Sequence, residues 1–254
     1  MTNNEFITKL QDIAKNYKTV YMWGVFGSPV TESIINTKVK QFPNNYSIEK
    51  QKTLRNLIGK GYFAFDCVCL IKGILWGWNG NLSSTHGGAV YPTTAQVKAG
   101  VCPDETASGI FDRCTSKSND FSKISIGEAV YMKNHIGVYI GNGKVIECTG
   151  SWDCCVMTTA CLNIGNIQGL KSHLWESHGK LPYITYEPEK ITPKLKVNTK
   201  VKYTGILYAD SYGNKPGKKV SGNFIVNRVI PDRKYGVLIS NVGWVAEKDC
   251  EVIK

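Results

Sequence analysis

The sequence predicts an α+β domain followed by a small all-β barrel. Three observations carry that prediction. The run Cys67 to Trp78 is apolar on nearly every side, with Lys72 its only charge; period-two patterning sets in between Ala129 and Cys148; and a Pro- and charge-rich break around Tyr186 to Lys194 precedes a tail of short β-type runs. At 254 residues, 42% hydrophobic and 20% charged, the chain is long enough for one large or two modest domains with real cores. No stretch approaches the roughly 18 to 20 apolar residues of a membrane helix. The start, Met1-Thr-Asn-Asn-Glu-Phe, has no basic segment followed by an apolar run. The expectation is therefore a protein with no membrane insertion and no signal peptide.

In chain order, Phe6, Ile7, Leu10, Ile13, Ala14 and Tyr17 recur at helical spacing over residues 4 to 18 and predict an amphipathic helix. From Thr19 to Lys60 the chain is polar and broken by Gly27, Pro29 and Pro43, which predicts loops and surface helices over 30–41 and 47–59. Cys67 to Trp78 reads as a buried central helix. Ala129 to Met132, His135 to Ile140 and Lys144 to Cys148 read as strands, the last two joined through Gly141-Asn142-Gly143 as a hairpin. The domain boundaries fall at 1–186, a linker 187–195, and 196–254. In the tail, strands are expected at 200–203, 223–229, 236–239 and 243–246.

Charge narrows the partners. The net charge of +11 favours a polyanion, but Lys outnumbers Arg 27 to 4, and base-edge or bidentate phosphate recognition leans on Arg. Nucleic acid is disfavoured; charge alone does not choose between anionic lipid and an anionic cell wall. The tail, with eleven basic and five acidic residues, has the higher charge density.

Nine cysteines include no C-x-x-C pair, so a zinc knuckle is not predicted; a structural zinc on Cys154, Cys155, Cys161 and His173 or His178 is the remaining metal alternative. Cys67 follows Asp66 at the start of the apolar run. The first turn of a helix offers free N–H groups and the positive dipole end, which lower a thiol pKa and can hold an oxyanion. The bland alternative is a buried cysteine opening an apolar helix.

A nucleophilic Cys needs a base and an orienting group. His135 opens a strand in which His135, Gly137 and Tyr139 share a face. A three-residue hairpin loop would place Glu147 on that face, diagonal to His135 at a Cα separation of roughly 7 to 8 Å. A two-residue turn would move Glu147 opposite Val138 and leave Cys148 as an alternative orienter. His86, in a Gly-rich loop, is a rival base. His173 and His178 flank Trp175 in a polar stretch and are expected on the surface.

Phe65-Asp66-Cys67-Val68-Cys69-Leu70-Ile71 and His135-Ile-Gly-Val-Tyr-Ile-Gly, with Glu147 twelve positions after the His, resemble the motifs of the NlpC-type cell-wall cysteine peptidases. Val68-Cys69 stands where the family has Ser-Gly, and Glu147 where many members have His. The resemblance implies a papain-like fold, in which helices pack on an antiparallel sheet. It implies hydrolysis of peptidoglycan stem peptides with Cys67 as nucleophile, His135 as base and Glu147 as third member, and with neither metal nor cofactor. Tyr21, in Tyr21-Met-Trp-Gly, resembles the family's Tyr on the oxyanion side. The tail, with Tyr208-Ala-Asp-Ser-Tyr212 and Gly243-Trp244-Val, resembles the bacterial SH3-like wall-binding domains of lysins, with Tyr208, Tyr212 and Trp244 as wall contacts. Together these imply a phage endolysin, made in the host cytoplasm and bacteriolytic once released to the wall. The alternatives are a CHAP-type N-acetylmuramoyl-L-alanine amidase and a non-catalytic wall-binding protein.

Overall fold

Thr2 opens the first helix. Its hydroxyl accepts from the Glu5 N–H while the Glu5 carboxylate accepts from the Thr2 N–H, so two orphan donors are satisfied at once. In this computed structural model, which describes residues 1–187, 195–231 and 233–253, the helix α1 (Asn3–Asn16) buries Phe6, Ile7, Leu10 and Ile13, the stripe its spacing predicts. The fold is mixed α+β with several sheets, in two compact units, Met1–Glu187 and Pro188–Lys254. Residues 188–194 of the predicted linker lie outside the described residues.

Next come β1 (Lys18–Tyr21), β2 (Phe26–Pro29), α2 (Glu32–Gln41), α3 (Ile48–Arg55) and β3 (Tyr62–Phe65). The helices expected over 30–41 and 47–59 are present as α2 and α3, but the stretch before them that reads as loop also holds β1 and β2. β3 is the centre of a three-stranded sheet, parallel to β1 and antiparallel to β2. With α2 and α3 these strands enclose a core of their own, built on Met22, Val25, Val30, Ile35, Tyr46 and Leu54. Its members come from β1, α2, α3, β3 and the turns between them, so no single period reveals them. The parallel ladder runs from Lys18 opposite Tyr62 to Tyr21 opposite Phe65, so the intervening excursion leaves from and returns to one sheet.

α4 (Cys67–Leu75) is the predicted buried helix, with Cys67 through Ile74 all buried. It stops short of Trp78 because Gly77 takes φ +90°, a left-handed conformation that ends helices and suits glycine. Lys72 is buried with its ammonium on Asp104 Oδ1 at 2.5 Å and the Glu105 carbonyl at 3.0 Å, which is how an apolar helix carries a charge. After α5 (Thr94–Lys98) and α6 (Ala107–Asp112) come β4 (Thr115–Ser118), β5 (Ala129–Met132), β6 (His135–Gly141), β7 (Lys144–Cys148), β8 (Val156–Cys161), β9 (Ser172–His173) and β10 (Ser177–Lys180). They form one sheet in the order β4-β10-β5-β6-β7-β8-β9. Ile136, Val138 and Ile146 join α1 and α4 in the main core, whereas Val130, Tyr139, Val145, Cys161 and Trp175 form a separate cluster.

The second unit is all-β, with β11 (Lys200–Tyr208), β12 (Pro216–Val229), β13 (Val237–Ile239), β14 (Gly243–Val245) and β15 (Cys250–Val252) in the order β12-β13-β14-β11-β15 and β12 also pairing with β11. Val201, Tyr203, Leu207, Val226, Val237, Ile239 and Val245 make its core. Its first two strands are longer than predicted. Among the described residues no helix is long and apolar enough to cross a membrane. All nine cysteines are free thiols.

Candidate active site

The β6–β7 hairpin decides whether His135 and Glu147 meet. Gly141 pairs with Lys144, so the turn is the two-residue Asn142-Gly143 type, with both residues at positive φ. That turn alone would put Glu147 on the wrong face. Tyr139, however, pairs with Val145, so Ile140 is an extra residue on β6, and this bulge shifts the register by one. Val138 then faces Ile146, and Glu147 stands diagonal to His135 as the longer loop would have had it. The face is that of the three-residue reading; the loop is not.

His135 Nε2 and Glu147 Oε2 are 2.5 Å apart. Glu147 is fully buried, and its other oxygen accepts the Thr159 hydroxyl at 2.5 Å. Burial opposes ionisation of Glu147, but the contacts with His135, His173 and Thr159 outweigh it and bring its pKa from 4.5 down to about 2. The His135 ring lies parallel to Trp175, with centroids 5.6 Å apart. Gly137 leaves the space for this arrangement: a Cβ there would stand 2.7 Å from Val145 Cγ1, 3.2 Å from Trp175 and 3.3 Å from the Glu147 Cβ. Cys148, the alternative orienter, is instead fully buried, with its thiol donating to the Phe65 carbonyl.

His173 and His178 are not the surface residues expected of a polar stretch. His173 closes β9 with Nε2 at ion-pair distance, 3.3 Å, from Glu147 Oε2, and this buried nitrogen has no closer hydrogen-bond partner. His178 is 2% exposed and spans Glu128 Oε2 at 2.5 Å and the Asp120 carbonyl at 3.1 Å. The signal for both was the nearby Trp175, an apolar ring that a surface segment has no use for. The alternative zinc set of Cys154, Cys155, Cys161 and His173 or His178 is not assembled among the described residues. Cys154 is exposed and donates to the Gly150 carbonyl, Cys161 is buried beside Asn163, and His178 is committed elsewhere. Among the described residues the one cluster of metal-ligating type is His135, Glu147 and His173.

Cys67 begins α4, with Asp66 as N-cap. One Asp66 oxygen accepts from the Cys69 N–H at 2.7 Å and the other from the Gly24 N–H at 2.7 Å. The thiol lines a cleft of about 1090 Å³ that includes Trp23, Phe42, Lys38, Tyr91 and Asn134. The N–H groups of Ile136, Val68 and Cys67 favour a negative sulfur, yet burial, aided by the Asp66 carboxylate, prevails and pushes the thiol up to about 12. The expected lowering of its pKa is thereby corrected. A helix N-terminus supplies only partial charges, and here an anionic cap shares it with a sulfur that is 5% exposed. No hydrogen bond joins Cys67 to His135; the sulfur meets the backbone of Ile136, the next residue along, and Nδ1 of His135 is taken by no other group among the described residues.

Tyr21 lies beside this sulfur. Burial, then the proximity of Cys67 and Asp66, raises its phenol pKa strongly, so the group keeps its proton. His86, the rival base, does not line the cleft; its Nδ1 is 3.0 Å from the Ser28 hydroxyl and its ring lies on Phe26. In the second unit Tyr208 rests on Tyr235 with centroids 3.9 Å apart, Tyr212 is exposed under Arg233, and Trp244 is half-buried opposite Tyr208.

No protein-family model matches this chain, and neither does any curated protein or solved structure. The site has to be read from its own chemistry.

Proposed function

We propose that the chain is a peptidoglycan hydrolase, a papain-like cysteine peptidase that cleaves an amide of the wall stem peptide and carries an SH3-like wall-binding barrel. The observation that supports this most is the His135–Glu147 pair at 2.5 Å, held by a bulged hairpin on the strand against whose backbone the Cys67 sulfur rests. Glu147 on Nε2 fixes the ring so that Nδ1 is the nitrogen left to accept a proton.

In this reading Cys67 starts as a neutral thiol. Substrate entering the cleft brings sulfur and ring to hydrogen-bond distance, since such bonds are often long before the substrate is bound. As Sγ bonds to the carbonyl carbon, its proton passes to His135 Nδ1. The carbonyl oxygen takes the negative charge and receives hydrogen bonds from the N–H of Cys67 and the phenol of Tyr21. His135 returns the proton to the leaving amine as the C–N bond breaks, giving a thioester. Water, deprotonated by His135, then attacks that thioester, and the acid and thiol are released. Lys38 on the cleft wall and the +6 charge of residues 196–254 both suit an anionic wall.

The test is turbidity loss of purified walls. Wild type clears them, while Cys67→Ser and His135→Ala do so at least about a hundredfold more slowly. Clearing by Cys67→Ser at the wild-type rate would refute the mechanism. Mass spectrometry of the products distinguishes new stem-peptide ends, which support an endopeptidase, from an intact stem released from the sugar, which would make the enzyme an amidase.

A further inference from the structure

His173 has no place in the hydrolysis just described, yet its Nε2 stands 3.3 Å from the carboxylate that orients the base. One ligand atom from each of His135, Glu147 and His173 lies within 4.8 Å of the other two, and Glu147 Oε2 is 2.5 Å from His135 Nε2 and 3.3 Å from His173 Nε2. The Nε2 of His173 is buried without a hydrogen bond, and burying such an atom unsatisfied is costly. The backbone pins it there: β9 runs parallel to β8 with His173 opposite Cys161, and the His173 carbonyl accepts from the Leu162 N–H at 2.9 Å. Thr159 holds Glu147 Oε1, which turns Oε2 toward both rings.

Two imidazole nitrogens and one carboxylate oxygen are a donor set for zinc, whose bonds of about 2.0 to 2.2 Å keep neighbouring ligand atoms about 3.3 to 3.5 Å apart. His173 Nε2 and Glu147 Oε2 stand at 3.3 Å already. The His135–Glu147 separation must open from 2.5 Å, as it would when a metal ion replaces the proton between them. The side chains of His135 and His173 are 14% and 18% exposed, so the cluster reaches the surface along its two rings while Glu147 stays buried beneath them.

We propose that His135, Glu147 and His173 form a binding site for a zinc-type divalent cation, and that occupancy switches off the base. With the ion on Nε2, the one proton of a neutral ring must sit on Nδ1, which then cannot take the Cys67 proton. Binding itself does not depend on the hydrolase reading; only its inhibitory consequence rests on that reading.

Zn²⁺ titration of the full-length protein, followed by isothermal calorimetry, tests the site directly. Wild type and Cys67→Ser should bind one ion equally well, whether or not hydrolysis is ever observed. His173→Phe, which keeps a ring beside Trp152, whose centroid lies 4.7 Å from that of His173, should bind at least tenfold more weakly, and Cys154→Ser should bind as wild type does. ¹⁵N spectra of wild-type imidazoles provide a readout that needs no variant: Zn²⁺ should shift Nε2 of His135 and His173 and leave His86 and His178 unmoved. Co²⁺ should give d–d bands without a sulfur charge-transfer band. Unchanged affinity in His173→Phe, unmoved His135 and His173 signals, or a sulfur band that disappears in Cys154→Ser would overturn the assignment. If the site binds Zn²⁺ but Zn²⁺ fails to slow wall clearing by an active wild-type enzyme, the inhibitory consequence falls and the site stands.

Discussion

Cys67 keeps its proton at neutral pH because burial outweighs the helix terminus at which it stands, and this has a direct chemical signature. At pH 8, iodoacetamide should label the exposed Cys154 well before Cys67, and peptide mapping over time would show the order. Early labelling of Cys67 would mean a preformed thiolate. Glu147 behaves in the opposite sense. Its folded pKa of about 2 lies below the ordinary 4.5, so its contribution to stability is complete above about pH 4.5 and disappears as the pH falls toward 2. Denaturation of wild type and Glu147→Gln should differ most near neutrality and converge in acid. Thr159→Val would strip one buried oxygen of Glu147 of its donor. We expect a loss of about 1 to 3 kcal/mol in a urea titration, together with slower wall clearing. Tyr21→Phe, by contrast, should slow clearing about tenfold to a hundredfold with little change in stability, since only the hydroxyl is lost.

Among the elements, those with a strong period could be read from sequence: α1, the apolar α4 and the strands β5 to β7 stand within a few residues of their predicted places. What escaped were elements too short to show a period. β1, β2 and β3 are four residues each, and β9 is two, so their stability comes from neighbours far along the chain. The Cys67, His135 and Glu147 motifs were legible because each sits at the start of a helix or on a patterned strand; His173 was not, because only the sheet order brings β9 to Glu147. The bulge at Ile140 was equally invisible, since nothing in Ile140-Gly141 marks which residue is left unpaired. Gly137 tests how tightly the hairpin is built. Gly137→Ala should destabilise the fold by about 1 to 3 kcal/mol and displace the Glu147 side chain, visible as altered His135 ring shifts.

At the scale of the whole molecule, each unit has its own apolar core, so residues 1–187 should unfold cooperatively when expressed alone. Under the proposed function that fragment would still cut soluble stem peptides but sediment poorly with walls, and the full chain's wall binding should weaken as salt rises. Co-sedimentation at two ionic strengths checks both points. The parallel ladder that sets Tyr21 against Phe65 has one more consequence. Trp23, Lys38, Gln41 and Phe42, which wall the cleft, all belong to the excursion that leaves and rejoins the sheet at that ladder. The same excursion lends β2 to the sheet and the Gly24 N–H to Asp66, so a change in the lobe that walls the cleft is transmitted directly to the cap of the helix that Cys67 begins.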